Sequence, residues 1–179
     1  MKNKIFIISI ISITLIIFII DIIWFNLEKI DDRNIHKIDL QEKLIEEIKK
    51  ESTNLHDSKI IDYSLEKTAK LLKFSFEENI NLNSISYAHC VTYSRVCATI
   101  CNIAFEHNNI NSTAKCVVGY INFGKLNICN ILSKIFKKHS NNFINHDFVE
   151  INGNGYTIFV DPTLHDLINT DLKLIKHGQ

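Results

Sequence analysis

Proline occurs once and glycine five times in 179 residues, which excludes a collagen-like, Pro/Gly-rich or loop-dominated chain. Charge of one sign is equally scarce. Twenty basic residues balance twenty acidic ones, so there is no overall electrostatic footprint for nucleic acid. Repeats and low-complexity tracts are absent beyond the first segment. No CxxC pair occurs among Cys90, Cys97, Cys101, Cys116 and Cys129, which removes the zinc-ribbon and zinc-finger spacings. Cys97 and Cys101 lie one helical turn apart with His107 beyond them, but a fourth ligand is missing. The odd cysteine count leaves at least one thiol unpaired even in an oxidising compartment. No acidic loop resembles a calcium site. The expectation is therefore no cofactor and no metal.

What the chain has in abundance, at its start, is isoleucine. From Ile5 to Ile20 only Ser9, Ser12 and Thr14 are not apolar, and the run continues through Ile22, Ile23, Trp24 and Phe25, broken by Asp21. Thirteen Ile, Leu and Phe residues between Ile5 and Ile20 favour bilayer insertion by about 4–8 kcal/mol, against about 3 kcal/mol at most for Asp21. About 20 residues suffice to span. Bulky residues follow instead of a small-x-small cleavage site, so residues 1–25 read as an uncleaved membrane anchor. Lys2 and Lys4 would stay inside, giving a single-pass membrane protein with the remainder of the chain on the extracytoplasmic side. Lys29 and Arg33 on the far side pull against that orientation.

Residues 26–80 read as a stalk and helical lead-in, and residues 81–179 as the main folded domain. Asn26 to about Ile38 is charged and mixed, which suits the stalk. Asp39 can cap a helix with Leu40, Leu44, Ile45 and Ile48 on one stripe, and Leu65, Ala69, Leu72 and Phe76 predict a second over Ile61 to Phe76. Glu77 to Ser86 is an asparagine-rich connection. Val96, Ile100, Ile103 and Ala104, widened by Cys97 and Cys101, predict a helix buried on most sides. Cys90 falls in its first turn, where free N–H groups and the positive dipole end favour a thiolate. A cysteine at a helix start also serves simply to pack. Thr113 to Phe123 alternates as a strand, with Gly119 marking a close approach or a bulge. Leu126 to Lys138 reads as a helix, His139 to Ile144 as a polar loop, and the tail after Leu164 as mixed with one short helix.

The stretch from His146 to Asp161 reads as two strands joined by a Gly153-Asn154 turn. In that register Glu150 faces Thr157, Phe148 faces Phe159 and His146 faces Asp161. Side chains alternate with period two, so the imidazole and the carboxylate share a face with Cβ atoms roughly 4.5–5.5 Å apart. A carboxylate so placed fixes a histidine's tautomer and steadies its charged form. An Asn154-Gly155 turn of type I′ is the rival, shifting the register to set Thr163 opposite His146. An isolated His/Asp pair is also a common surface hydrogen bond, so the assignment leans on Cys90 upstream.

Four motifs in order then carry a resemblance. Cys90-Val91-Thr92-Tyr93-Ser94, Cys116-Val117-Val118-Gly119-Tyr120, His146-Asp147-Phe148-Val149-Glu150-Ile151 and Val160-Asp161-Pro162-Thr163 together resemble the transglutaminase-like superfamily, which shares the papain-like cysteine-enzyme architecture. The likeness covers about Ala88 to Leu164. It implies an α+β fold in which a helix-borne cysteine packs on a small antiparallel sheet, here following the N-terminal transmembrane helix. It also implies a catalytic triad of Cys90, His146 and Asp161. Two features depart from the pattern. Phe148 stands where such strands usually carry tryptophan, and Lys125 to Asn142 forms a helical insertion beside the cleft.

These residues imply thiol acyl transfer on protein or peptide amides, with Cys90 attacking, His146 shuttling the proton and Asp161 orienting it. The Cys90 N–H is one oxyanion donor, with Asn83, Ser84, Ser86 and Tyr87 as nearby candidates for the second. The acyl group would pass to water (peptidase or deamidase) or to an amine (transglutaminase). The expected partners are a protein or peptide substrate and the membrane, with no nucleic acid and the oligomeric state open. The alternatives are an inactive membrane-tethered binding module on the same fold and a structural domain held by disulfides.

Overall fold

The structure, a computed structural model, describes residues 25–33, 38–77, 79–80, 86–123, 126–135, 145–168 and 173–177. In chain order the elements are β1 (Phe25–Asp32), α1 (Glu42–Ser52), α2 (Asp57–Leu71), β2 (Leu72–Phe74), β3 (Ser86–Ala88), α3 (Cys90–His107) and β4 (Thr113–Phe123). They continue with β5 (Leu126–Asn127), α4 (Ile128–Ile135), β6 (His146–Gly153), β7 (Tyr156–Val160), α5 (Pro162–Ile168) and β8 (Lys173–His177). The architecture is α+β. One antiparallel sheet runs in the order β1-β4-β6-β7-β8, with β5 beside β4, and β2 and β3 form a separate parallel pair.

The alternation along the central strands explains how the layers form. Ala114, Val149, Ile151 and Val160 join a buried cluster with α1, α2 and α3. Val117, Ile121, Phe148 and Phe159 join another with Leu27 and Cys129 of α4. Successive residues of a strand point to opposite faces, so the sheet is apolar on both sides. Helix α3 is the axis of the larger cluster. Its Val96, Cys97, Ile100, Cys101, Ala104 and Phe105 are buried, the all-round apolar pattern of a helix enclosed by neighbours. Mid-helix, Asn102 pairs with a backbone rather than with water. Its amide donates to the Ala114 carbonyl and accepts from the Ala114 N–H, both at 2.8 Å, which pins α3 to the start of β4. Lys67, also buried, is tied to Glu51 at 2.8 Å and to Glu47, joining α2 to α1.

The expectations for the start of the chain are corrected. Among the described residues no helix is long and apolar enough to cross a membrane, so the fold found is α+β without the N-terminal transmembrane helix. Residues 1–24 of the expected anchor lie outside the described residues, and Phe25, its last residue, opens β1 instead. The single-pass localisation, with an extracytoplasmic domain, rested on that helix and falls with it. The expected stalk is an edge strand. It pairs with β4 from Phe25↔Phe123 to Asp32↔Val117, with a bulge between Lys29 and Asp31. Its mixed charge suits an edge, while Leu27 is buried in the core.

Other boundaries shift modestly. The first helix starts after Gln41 with no side-chain cap, and the second ends at Leu71 because Leu72 enters β2. Strand β4 has the bounds its alternation predicts. Gly119 within it is a close approach: a Cβ there would lie 1.9 Å from the Glu28 carbonyl oxygen and 2.8 Å from the Phe148 ring. The predicted helix after Leu126 begins at Ile128, and its basic end (136–138) and the polar loop up to Ile144 lie outside the described residues. Strand β8, which extends the sheet beyond β7, was not expected from the tail.

The hairpin takes the rival register. Gly153 faces Tyr156, Asn152 faces Thr157, and Glu150 faces Phe159, so Asn154 and Gly155 make the turn. Only Gly155 of the two has positive φ, at 79°, which excludes type I′. The register differs from the expected one by two residues. A shift of two keeps every side chain on its original face, whereas a shift of one would have reversed them.

Candidate active site

That conserved face is why His146 and Asp161 still meet. Neither is directly opposite the other: the register aligns His146 with position 163, and pairing stops at Val149↔Val160, after which the chain turns into α5. His146 Nε2 lies 2.6 Å from Asp161 Oδ2. Asp161 Oδ1 accepts from the N–H groups of Thr163 and Leu164, both at 3.0 Å. Asp161 is thus the N-cap of α5 with Pro162 at the first helical position. One carboxylate caps a helix with one oxygen and holds the imidazole with the other, so its orientation is fixed from two sides.

Cys90 is the first residue of α3, as its sequence position implies. The preceding residue His89 caps the helix through its ring, Nδ1 accepting from the Val91 N–H at 3.3 Å. The His89 carbonyl accepts from Thr92 and Tyr93, each at 3.1 Å. Burial by itself would raise the Cys90 thiol pKa. Hydrogen bonds from His146 and His89, the charge on His146 and the Asp147 backbone outweigh it and bring the value from 9.0 down to about 6. For His146 burial opposes the charged form, but Asp161 and the Cys90 thiolate hold its pKa well above the ordinary value. With Nε2 committed to Asp161, Nδ1 is the nitrogen left for sulfur. Thiolate and imidazolium therefore stabilise one another.

Two groups that the sequence reading missed stand beside them. Asp147 Oδ2 lies 4.0 Å from Cys90 Sγ. Arg33, at the end of β1, holds that carboxylate in a fork: Nε to Oδ1 at 2.5 Å and Nη2 to Oδ2 at 3.0 Å. Arg33 is fixed in turn by its own N–H, which donates to the Cys116 carbonyl at 3.1 Å. Adjacency to His146 was a signal for Asp147. Nothing local signals Arg33, because its place depends on the long-range pairing of β1.

These side chains border a cavity of about 280 Å³. Its other walls are mainly apolar, from Phe74, Phe76, Ile121, Cys129, Leu164 and Leu167, with Asn145 and Thr163 as polar members. Phe74 and Phe76 meet edge to face at 5.2 Å and 79°. Cys129 brings α4 to the cleft, so the segment read as an insertion does contribute a wall. Of the nearby oxyanion candidates, Asn83 and Ser84 lie outside the described residues, Ser86 is buried in β3 and Tyr87 is exposed. All five cysteines carry free thiols. The others sit in different settings. Hydrogen bonding with Cys101, together with burial, raises the Cys97 pKa well above its ordinary value. Burial pushes Cys116 up to about 11.

Compared with known proteins, the chain matches no family model, no curated protein and no solved structure.

Proposed function

We propose that this chain is a cysteine acyl-transfer enzyme of transglutaminase-like type that acts on protein or peptide amides through Cys90, His146 and Asp161. The observation that carries the reading is the 2.6 Å contact from His146 Nε2 to the helix-capping carboxylate of Asp161, made beside a first-turn thiol whose pKa is brought to about 6. Near pH 7 the sulfur is then largely thiolate, the form that attacks carbonyl carbon.

The thiolate adds to the amide carbonyl, forming the C–S bond and placing negative charge on oxygen. The Cys90 N–H is the first-turn donor aimed at that charge, since the N–H groups of Val91, Thr92 and Tyr93 already bond to His89. His146 protonates the departing nitrogen, the C–N bond breaks, and a thioester remains. His146, now neutral, takes a proton from water or an amine as it attacks. The C–S bond breaks, and the thiolate–imidazolium pair is restored. Asp161 keeps the imidazole oriented throughout and does not itself take the proton. The apolar walls suit an acyl donor with an aliphatic or aromatic side chain next to the reacting carbonyl.

Intact mass spectrometry after exposure to peptidyl vinyl sulfones tests this. One adduct on Cys90 is expected, formed faster with leucine or phenylalanine beside the electrophile than with aspartate. Adduct spread over several cysteines, or unaffected by His146→Ala, argues against it. With amide substrates, added amines distinguish transfer from hydrolysis by the mass of the product.

A further inference from the structure

A buried carboxylate next to a thiolate is an electrostatic problem, and here Asp147 sits 4.0 Å from the Cys90 sulfur with about 1% of its surface exposed. A like charge at this range opposes ionisation, the more so where water is excluded. We propose that Arg33 is a positioning residue for the nucleophile: its two-point grip neutralises Asp147, so that the Cys90 thiolate shares its pocket with a paired carboxylate and not a free one. The inference rests on the reading of Cys90 as the nucleophile and adds to it a residue that lies 57 positions upstream in sequence.

Three features of the geometry support this. The grip is bidentate, through Nε and Nη2 on both carboxylate oxygens, the arrangement that fixes orientation as well as charge. It reaches from the end of β1 to β6 across β4, strands that are not neighbours, so it ties the edge strand to the strand whose Asp147 faces Cys90. The oxygen that Nη2 holds is Oδ2, the same atom that faces Sγ. The groups facing the sulfur are His89 ahead of α3, His146 and Asp147 on β6, and Arg33 beyond β1, with Asp161 and Cys116 at one remove. Counting thiolate, imidazolium, two carboxylates and one guanidinium, the ensemble carries a single net negative charge. Removing Arg33 adds a second negative charge to an enclosed site.

The test is the pH midpoint of Cys90 alkylation by iodoacetamide, read by peptide mass spectrometry, in the unaltered protein, Arg33→Met, Asp147→Asn and the double variant. Arg33→Met should raise the midpoint by about one pH unit or more, a roughly ten-fold loss of thiolate at pH 5. Asp147→Asn should leave the midpoint in place or lower it. The double variant should return to within a few tenths of the unaltered value, because no free carboxylate remains. An Arg33→Met midpoint that does not move overturns the inference. So does a double variant as high as Arg33→Met, which would mean that Arg33 acts only by holding the fold, or an Asp147→Asn that raises the midpoint, which would make Asp147 itself a support of the thiolate. These displacements are read whatever the unaltered midpoint. An ordinary thiol midpoint in the unaltered protein instead brings down the catalytic reading, and the two failures are thereby distinguished.

Discussion

Two regions of one helix hold cysteines with opposite chemistry. At the mouth of α3, Cys90 is brought to about 6; two turns further in, Cys97 is pushed well above its ordinary value. Burial acts in the same direction on both, since it disfavours a thiolate wherever the thiol is placed. What separates them is their partners. Cys90 meets two histidines at the start of the helix, while Cys97 meets another thiol, Cys101, which competes for the same proton. The opposite shifts of these two thiols are therefore set by the groups around each sulfur and not by depth.

Substitutions at the mouth should break this contrast in graded steps. His146→Ala removes the proposed proton carrier and the largest stabilising partner of the thiolate, so turnover of an amide substrate should fall roughly 10⁴-fold in a steady-state assay. Asp161→Asn should be milder, roughly 10²-fold, with the melting temperature nearly unchanged. Asparagine still accepts from the Thr163 and Leu164 N–H groups, and it caps helices as well as aspartate. An unchanged rate would remove Asp161 from the proposed triad.

Two further substitutions act on the supports. In Gly119→Ala the added methyl would sit 1.9 Å from the Glu28 carbonyl oxygen, so β1 must move off β4 opposite His146. A loss of about 3 kcal/mol is expected in urea unfolding, together with reduced Cys90 labelling. Tyr93→Phe deletes the 2.5 Å bond from the Tyr93 hydroxyl to Asp166 Oδ2 that ties the first turn of α3 to α5. It should cost about 2 kcal/mol while leaving Cys97 and Cys101 protected.

How much of this was legible in the sequence follows from the range over which each feature is determined. Strand β4 and the buried face of α3 are written in local periodicity and were read with nearly their observed bounds. The special role of Gly119 was legible for the same reason, as a lone glycine in an alternating strand. His146 and Asp161 were paired on a shared face even though the turn was placed one residue too early at Gly153, because a two-residue register error preserves faces. The capping role of Asp161 was missed, although aspartate before proline at the start of an apolar run is a helix-start signal. Strand β1 and Arg33 were not legible. A charged edge strand looks like a linker until its partner is known, and its partner lies about ninety residues away in β4. The isoleucine-rich start has the length and hydropathy expected of a membrane helix. Among the described residues no such helix is found.

The most direct measurement is site-resolved alkylation of the native protein with iodoacetamide from pH 4.5 to 9.5, with each cysteine quantified by peptide mass spectrometry. Cys90 should label half-maximally near pH 6, while Cys97 stays unlabelled until denaturant is added. Cys90 and Cys97 labelling together, with midpoints near the ordinary thiol value of about 8.5, would contradict the account.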